Sequence, residues 1–253
     1  MARNYNYTRE SEENLFHDFL KFINHVKKCW GNLLEEISNK KCLKKTSYEK
    51  YYEFEEKSNR YQSTISNECI WNISCNAPIA SHLRYVISII NSLIDLERMS
   101  DYFFSCSRFF YEKSINDEQI LSILIDAVFY SNELMNKIFD IIIDSENGNS
   151  SVKRKKIYDP AKTYDNAMRL AVKYHDKYNK LINQLAEIVF AKKIQKEVFV
   201  GAIIVLKNTE RNVDHAINII ENFISIRHSN FFYEKHSKHI LGQEHIKIKR
   251  KNK

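Results

Sequence analysis

Leu93-Ile94-Asp95-Leu96-Glu97-Arg98-Met99-Ser100-Asp101 is the decisive stretch, because its charged core returns later in the chain as Glu210-Arg211-Asn212-Val213-Asp214. The two copies of E-R-x-x-D stand 113 residues apart, and at the same offset Ile90 falls on Ile203, Leu93 on Leu206 and Phe110 on Phe223. A pattern shared in this way marks an internal duplication. Around each copy the apolar residues recur three and four apart, the period of a helix with one buried face. Each copy is therefore read as the last and most apolar helix of a repeated unit.

Working outward, helical spacing begins at Leu15, Phe16, Phe19, Phe22, Ile23 and Val26 and continues through Leu33, Leu34 and Ile37. The pattern breaks over residues 40–46. A second helix opens at Ser47 and carries Tyr51, Tyr52, Phe54, Tyr61, Ile65 and Ile70 to about Cys75. Pro78 suits a helical first turn, which predicts a third helix over residues 79–112. The order then repeats, with helices predicted over 118–145, from Pro160 to about 193, and over 195–227. Residues 146–151 with the basic cluster Lys153, Arg154, Lys155 and Lys156 form the one clear linker. The expected organisation is a first three-helix bundle over 9–113, a second over 114–228, and a short C-terminal segment over 229–253.

Composition supports an all-α fold and excludes much else. Four glycines and two prolines in 253 residues fall well below the roughly 18 and 13 that average usage would give. Neither G-x-G-x-x-G nor G-x-x-x-x-G-K-S/T occurs, so a nucleotide-binding α/β enzyme is not expected. No serine or cysteine sits in a nucleophile elbow, and no catalytic residue is assigned. The formal charge of +7 is concentrated in two places, residues 153–156 and the tail carrying Lys247, Lys249, Arg250, Lys251 and Lys253. Those nine cations exceed the total, so the rest of the chain is slightly acidic. Five cysteines without a C-x-x-C pair suit a reducing compartment, and no apolar run reaches the roughly 20 residues of a membrane span. A cytoplasmic location is expected.

In a helix, residues four apart stack on one face, so Glu97 with Asp101 and Glu210 with Asp214 each present two carboxylates together. Like charges so placed repel, more so beside Leu93, Leu96 and Met99. A cation must offset them: a Lys or Arg of a neighbouring helix, or a metal ion held by oxygen ligands. Arg98 and Arg211 point about a quarter turn away and are expected to pair with acids of another helix.

Here the residues carry a resemblance. Pro78-Ile79-Ala80-Ser81-His82-Leu83-Arg84, followed by the quoted stretch, resembles the P-x-A-x-D-L-R and L-E-R-I-G-D segments of PhoU-type phosphate-uptake regulators. The segment from Thr209 through Glu210, Arg211, Asp214 and His215 to Ile219 resembles that family's second copy, E-R-I-x-D-H-x-x-N-I. The resemblance implies two pseudo-symmetric three-helix bundles, with metal clusters held by E/D-x-x-x-D pairs on adjacent helices. It places the second-helix ligands near Glu55 and Asn59, and in the second repeat near His175 and Asp176. His82, Ser100 and His175 depart from the pattern, and a histidine ligand shifts the implied metal toward iron or zinc. The resemblance also implies a regulator rather than an enzyme. Its implied partners are the ATP-binding subunit of the phosphate transporter, a phosphate-sensing histidine kinase and a second copy of the chain.

Two other readings stand beside this one. A carboxylate-bridged di-metal enzyme would use E-x-x-H motifs, and none lies at either repeat position. A nucleic-acid or membrane-associated adaptor would use the 153–156 cluster and the tail, at about 1 kcal/mol per cation near anionic lipid. The body is nearly neutral, and nucleic acid is not expected as a partner. His228, His236, His239 and His245 gather near the C-terminus, without a third ligand for the His236-x-x-His239 pair. The tyrosines and phenylalanines fall at core spacing and are read as packing.

Overall fold

The computed structural model describes residues 2–39, 43–113, 115, 117–147, 160–192 and 194–227. These form six helices, α1 (Ala2–Asn39), α2 (Lys45–Asn76), α3 (Ser81–Glu112), α4 (Glu118–Asn147), α5 (Pro160–Ala191) and α6 (Lys196–Arg227), with no strand among the described residues. The linker at 146–151 lies partly, and the basic cluster, the four C-terminal histidines and the basic tail wholly, outside the described residues. Each helix of about 32 residues is roughly 48 Å long at 1.5 Å per residue.

α1, α2 and α3 pack on one another, as do α4, α5 and α6, giving the two three-helix bundles expected from the duplication. The bundles join through α3 against α6 and α1 against α4, while α2 and α5 each touch only their own bundle among the described residues. The α3–α6 pair is antiparallel. Asn222 Nδ2 donates to Ser92 Oγ (3.3 Å), Asn218 Nδ2 donates to Asp95 Oδ1 (3.2 Å), and the Phe109 ring lies against Gly201. Between these levels Tyr102 meets His215, with ring centroids 5.5 Å apart. These two residues are themselves 113 apart, so equivalent positions of the two repeats touch each other. A self-contact of this kind places the internal two-fold axis at that point.

Sequence explains the ends of the elements as well as their faces. The α4 start is capped by Asp117 Oδ1, which accepts from the backbone N–H groups of Gln119 (2.9 Å) and Ile120 (3.2 Å). At the end of α2 the chain turns through Ala77 in the left-handed region (φ 43°), whose N–H donates to the Ile73 carbonyl. Pro78 then lies ahead of α3 rather than in its first turn. Ala80, also at positive φ (52°), must be passed before helical geometry is reached at Ser81. α1 begins thirteen residues ahead of the first apolar repeat, its first turns being polar.

Many of the aromatic residues are packing residues, although Tyr52, Trp71, Phe129 and Phe190 are exposed. Tyr51 and Trp30 both meet Phe103 edge to face, and Phe223 joins the bundles by packing on Phe16 and Phe19. The thiols of Cys29, Cys69 and Cys106 are buried and pushed up to about 12 by desolvation, so they behave as small apolar groups.

Glycine is required at one helical contact. A Cβ on Gly201 would lie 2.1 Å from Phe109 Cε2, too close for any side chain unless the ring moves. Gly201→Val is expected to destabilise the protein by about 1–3 kcal/mol through overpacking. Thermal or denaturant melts check this, and Phe109→Ala in the same chain should recover much of the loss.

Candidate functional site

Both acidic pairs lie midway along α3 and α6, close to the Tyr102–His215 contact. Behind them, His215 Nδ1–H donates to the buried carboxylate of Asp95 (2.7 Å) and Nε2 hydrogen-bonds with the Tyr102 hydroxyl (3.3 Å). Asp95 is thus stabilised by His215 and Asn218 of the other bundle. A buried carboxylate requires such partners, because desolvation alone would expel its charge.

In the first bundle the structure brings Glu97 and Asp101 of α3 to face Glu55 of α2. Partial burial, the Asp101 charge and the Glu55 charge raise the Glu97 carboxyl above its ordinary value, while Arg98 and His215 oppose the shift. Asp101 is raised by partial burial and by Glu55, against the pull of Arg98. Asn59 Nδ2 donates to Glu55 Oε1 (2.8 Å), so its amide orients one carboxylate of the set. Arg98 departs from expectation. Its long side chain folds back over its own helix, 3.5 Å from Asp101 and 3.8 Å from Glu97, instead of reaching an acid of another helix. An arginine stem is long enough to span the quarter turn that separates its Cβ from theirs.

The second bundle handles the same charge differently. Glu210 is buried, with Lys207 bonded to Oε2 and His175 Nδ1 3.5 Å from Oε1. The Tyr178 hydroxyl faces the same carboxylate, and desolvation followed by the Glu210 charge pushes that phenol up to about 12. Asp214 is raised by desolvation and then by Glu210, against Lys207, His215 and His175. The compensating cation sits one turn earlier on the same helix, at the position where the first repeat has Ile94. Asp176, adjacent to His175, is exposed.

The donor set of the first face, three carboxylates and an amide, suits a hard or borderline metal ion. As the side chains stand, no group of three or more His, Cys, Asp or Glu among the described residues is close enough to hold one. At the second face Lys207 already supplies a cation to Glu210. Lys207, Tyr178, Asp95 and His215 escaped assignment from sequence. The signals were present in Asp95, an acid inside an apolar run, and in the Asp214-His215 pair of the second motif.

An all-α protein with two pseudo-symmetric three-helix bundles and an acidic pair on the third helix of each has the architecture of PhoU-type proteins. Comparisons with known proteins show that likeness. Residues 22–109, most of the first bundle, match the PhoU domain family. The chain aligns with the crystal structure of PhoU from Pseudomonas aeruginosa at a TM-score of 0.64 and 19% identity, covering 87% of this chain and 99% of that one. It is 27% identical over 231 residues to the uncharacterized protein MG409 of Mycoplasma genitalium, across 90% of this chain and 98% of the relative. It is 26% identical over 174 residues to the phosphate-specific transport system accessory protein PhoU homolog of Pseudomonas putida, across 67% of this chain and 61% of that protein. Among the described residues no helix is long and apolar enough to cross a membrane.

The raised carboxyls give the site a pH signature. For an acid whose folded pKa lies above its unfolded one, the native state holds the extra proton between the two values. Stability therefore falls as pH rises through that window. In chelator-washed protein, Glu97→Gln and Asp101→Asn should each melt higher than the parent at neutral pH. The gap should close as pH is lowered to the ordinary value of each acid, 4.5 for Glu97 and 3.8 for Asp101, and below. A lower melting point of both variants at neutral pH would show that the carboxylates are net stabilising.

Proposed function

We propose that the protein is a cytoplasmic regulator of phosphate uptake that docks on the ATP-binding subunit of the phosphate transporter and restrains it. The PhoU domain match over residues 22–109, continued by PhoU architecture through the second bundle, carries this reading. The name borne by the Pseudomonas putida relative, an accessory protein of the phosphate-specific transport system, supplies the transport context. A helical body of this kind would act by burying surface on a partner and shifting that partner's conformational equilibrium. Homodimerisation, a histidine kinase partner and membrane contact through the basic tail belong to the same proposal, as does the division into units at residue 113. Tagged full-length protein should co-purify with the transporter's ATP-binding subunit. Absence of that subunit, with retained affinity for DNA at physiological salt, would favour the nucleic-acid adaptor instead.

Metal binding is the finer part of the proposal. Glu55, Asn59, Glu97 and Asp101 are the residues that would hold iron or zinc, after a change of side-chain rotamer draws the carboxylates together. A bound cation would relieve their mutual repulsion and cross-link α2 to α3. Glu210 and Asp214, with His175, would hold a second ion only by displacing Lys207. Elemental analysis after purification without chelator should therefore find metal in the parent chain and lose it in Glu97→Gln/Asp101→Asn. Metal far below one per chain in the parent would remove this part of the proposal.

A further inference from the structure

The repeats differ in what they bury beneath their acidic pairs. At the offset of 113 residues, Leu96 and Met99 of the first bundle become Thr209 and Asn212 of the second, and all four are fully buried. In the first bundle this level is closed. Trp30 Nε1 donates to the Met99 carbonyl (3.2 Å), and the buried hydroxyl of Ser58 on α2 donates to the Phe54 carbonyl (3.1 Å).

In the second bundle a polar network takes its place. Ser131 Oγ of α4 donates to the Thr209 carbonyl (3.0 Å) and accepts from Asn212 Nδ2 (2.9 Å), while Thr209 Oγ1 donates to the Leu206 carbonyl (2.8 Å). Two atoms are left over. Asn212 Oδ1 has no partner, and the Tyr174 hydroxyl of α5 faces Ser131 and Thr209 without forming a well-shaped hydrogen bond to either. Tyr174 is only 5% exposed and Asn212 not at all. The first bundle also has two such atoms, Tyr51 Oη and Glu36 Oε2, but these face each other where α1 passes into α2.

Unsatisfied polar atoms penalise the closed state and regain water when the helices part. Of the three helices, α5 is the one free to move, because α4 is held by α1 and α6 by α3, whereas α5 touches nothing outside its bundle among the described residues. Near its start the half-buried Tyr164 hydroxyl meets the buried Glu221 of α6, a contact that opening must break. The rest of its polar attachment lies at the surface, with Lys177 over the Tyr130 ring (3.5 Å), His175 at Glu210, and Lys192 bonded to Asp117 and Gln119 at its C-terminal end. We infer that α5 is a hinged cover on the second bundle. It opens as a unit away from α4 and α6 about its C-terminal end, while α2 stays closed on the first bundle. Opening withdraws His175 and Tyr178 from Glu210 and admits water, or a partner's polar group, to Ser131 and Asn212. This goes beyond the proposed regulatory role and does not depend on it.

Native-state hydrogen exchange on the full chain, read by mass spectrometry, tests the inference without any substitution. Amides of α5 should exchange together and at least about tenfold faster than those of α2. That ratio is expected when one orphaned group of the second bundle, Asn212 Oδ1, has no counterpart in the first, where Tyr51 and Glu36 face each other. Tyr174→Phe with Asn212→Met, the latter restoring the first-bundle residue, should slow α5 exchange and leave α2 unchanged. Exchange of α5 as slow as that of α2 in the parent chain would overturn the inference. So would a correctly folded double variant in which α5 exchanges as fast as before.

Discussion

The antiparallel packing of α3 on α6 is the constraint on which the rest of the molecule depends. It joins the bundles along the third helix of each, although in the second bundle α4 is more apolar than α6, against expectation. At its midpoint a residue of one repeat touches its own counterpart in the other. Close approach at Gly201 and Phe109 sets the distance between the helices at one end. The bond from His215 to Asp95 sets their register, since a shift by one turn would leave a buried carboxylate without its donor. Apolar packing alone would tolerate several registers, and a buried hydrogen-bonded carboxylate selects one.

Both acidic pairs inherit their positions from that packing. Because Glu97 and Asp101 lie on the same register of their helix as Glu210 and Asp214, the two-fold relation brings both pairs to the middle of the molecule. From there the repeats diverge. The first keeps three carboxylates facing one another, with an exposed arginine draped over them, and so retains an uncompensated negative charge. The second has acquired Lys207 and buries Glu210 beneath it, with His175 and Tyr178 closing from α5. One repeat is chemically open to an added cation, and the other supplies its own.

The fold was largely legible in the sequence because it is written in periods. Apolar spacing located six helices to within a few residues at most ends, and the 113-residue offset predicted the duplication that the Tyr102–His215 contact displays. The exceptions have local causes. Polar first turns hid the start of α1, and two alanines at positive φ moved the start of α3 past Pro78. The site was legible in part. Helical stacking correctly paired the carboxylates on each helix and the resemblance placed Glu55 across from Glu97. What occupies the space between them depends on side-chain reach, which no spacing rule encodes. Arg98 folding back on its own helix, Lys207 serving Glu210 from one turn away, and Asp95 reaching across to His215 are all of that kind.

A double-mutant cycle on Asp95 and His215 tests most directly whether this contact holds the repeats in register. Stability of the full chain would be measured by denaturant unfolding for Asp95→Asn, His215→Phe and the pair. Coupled groups in one buried hydrogen-bonded contact show interaction energies of about 0.5–3 kcal/mol. The account predicts a coupling within that range, with the double variant losing clearly less than the sum of the single losses. Strict additivity, or single variants as stable as the parent, would contradict it.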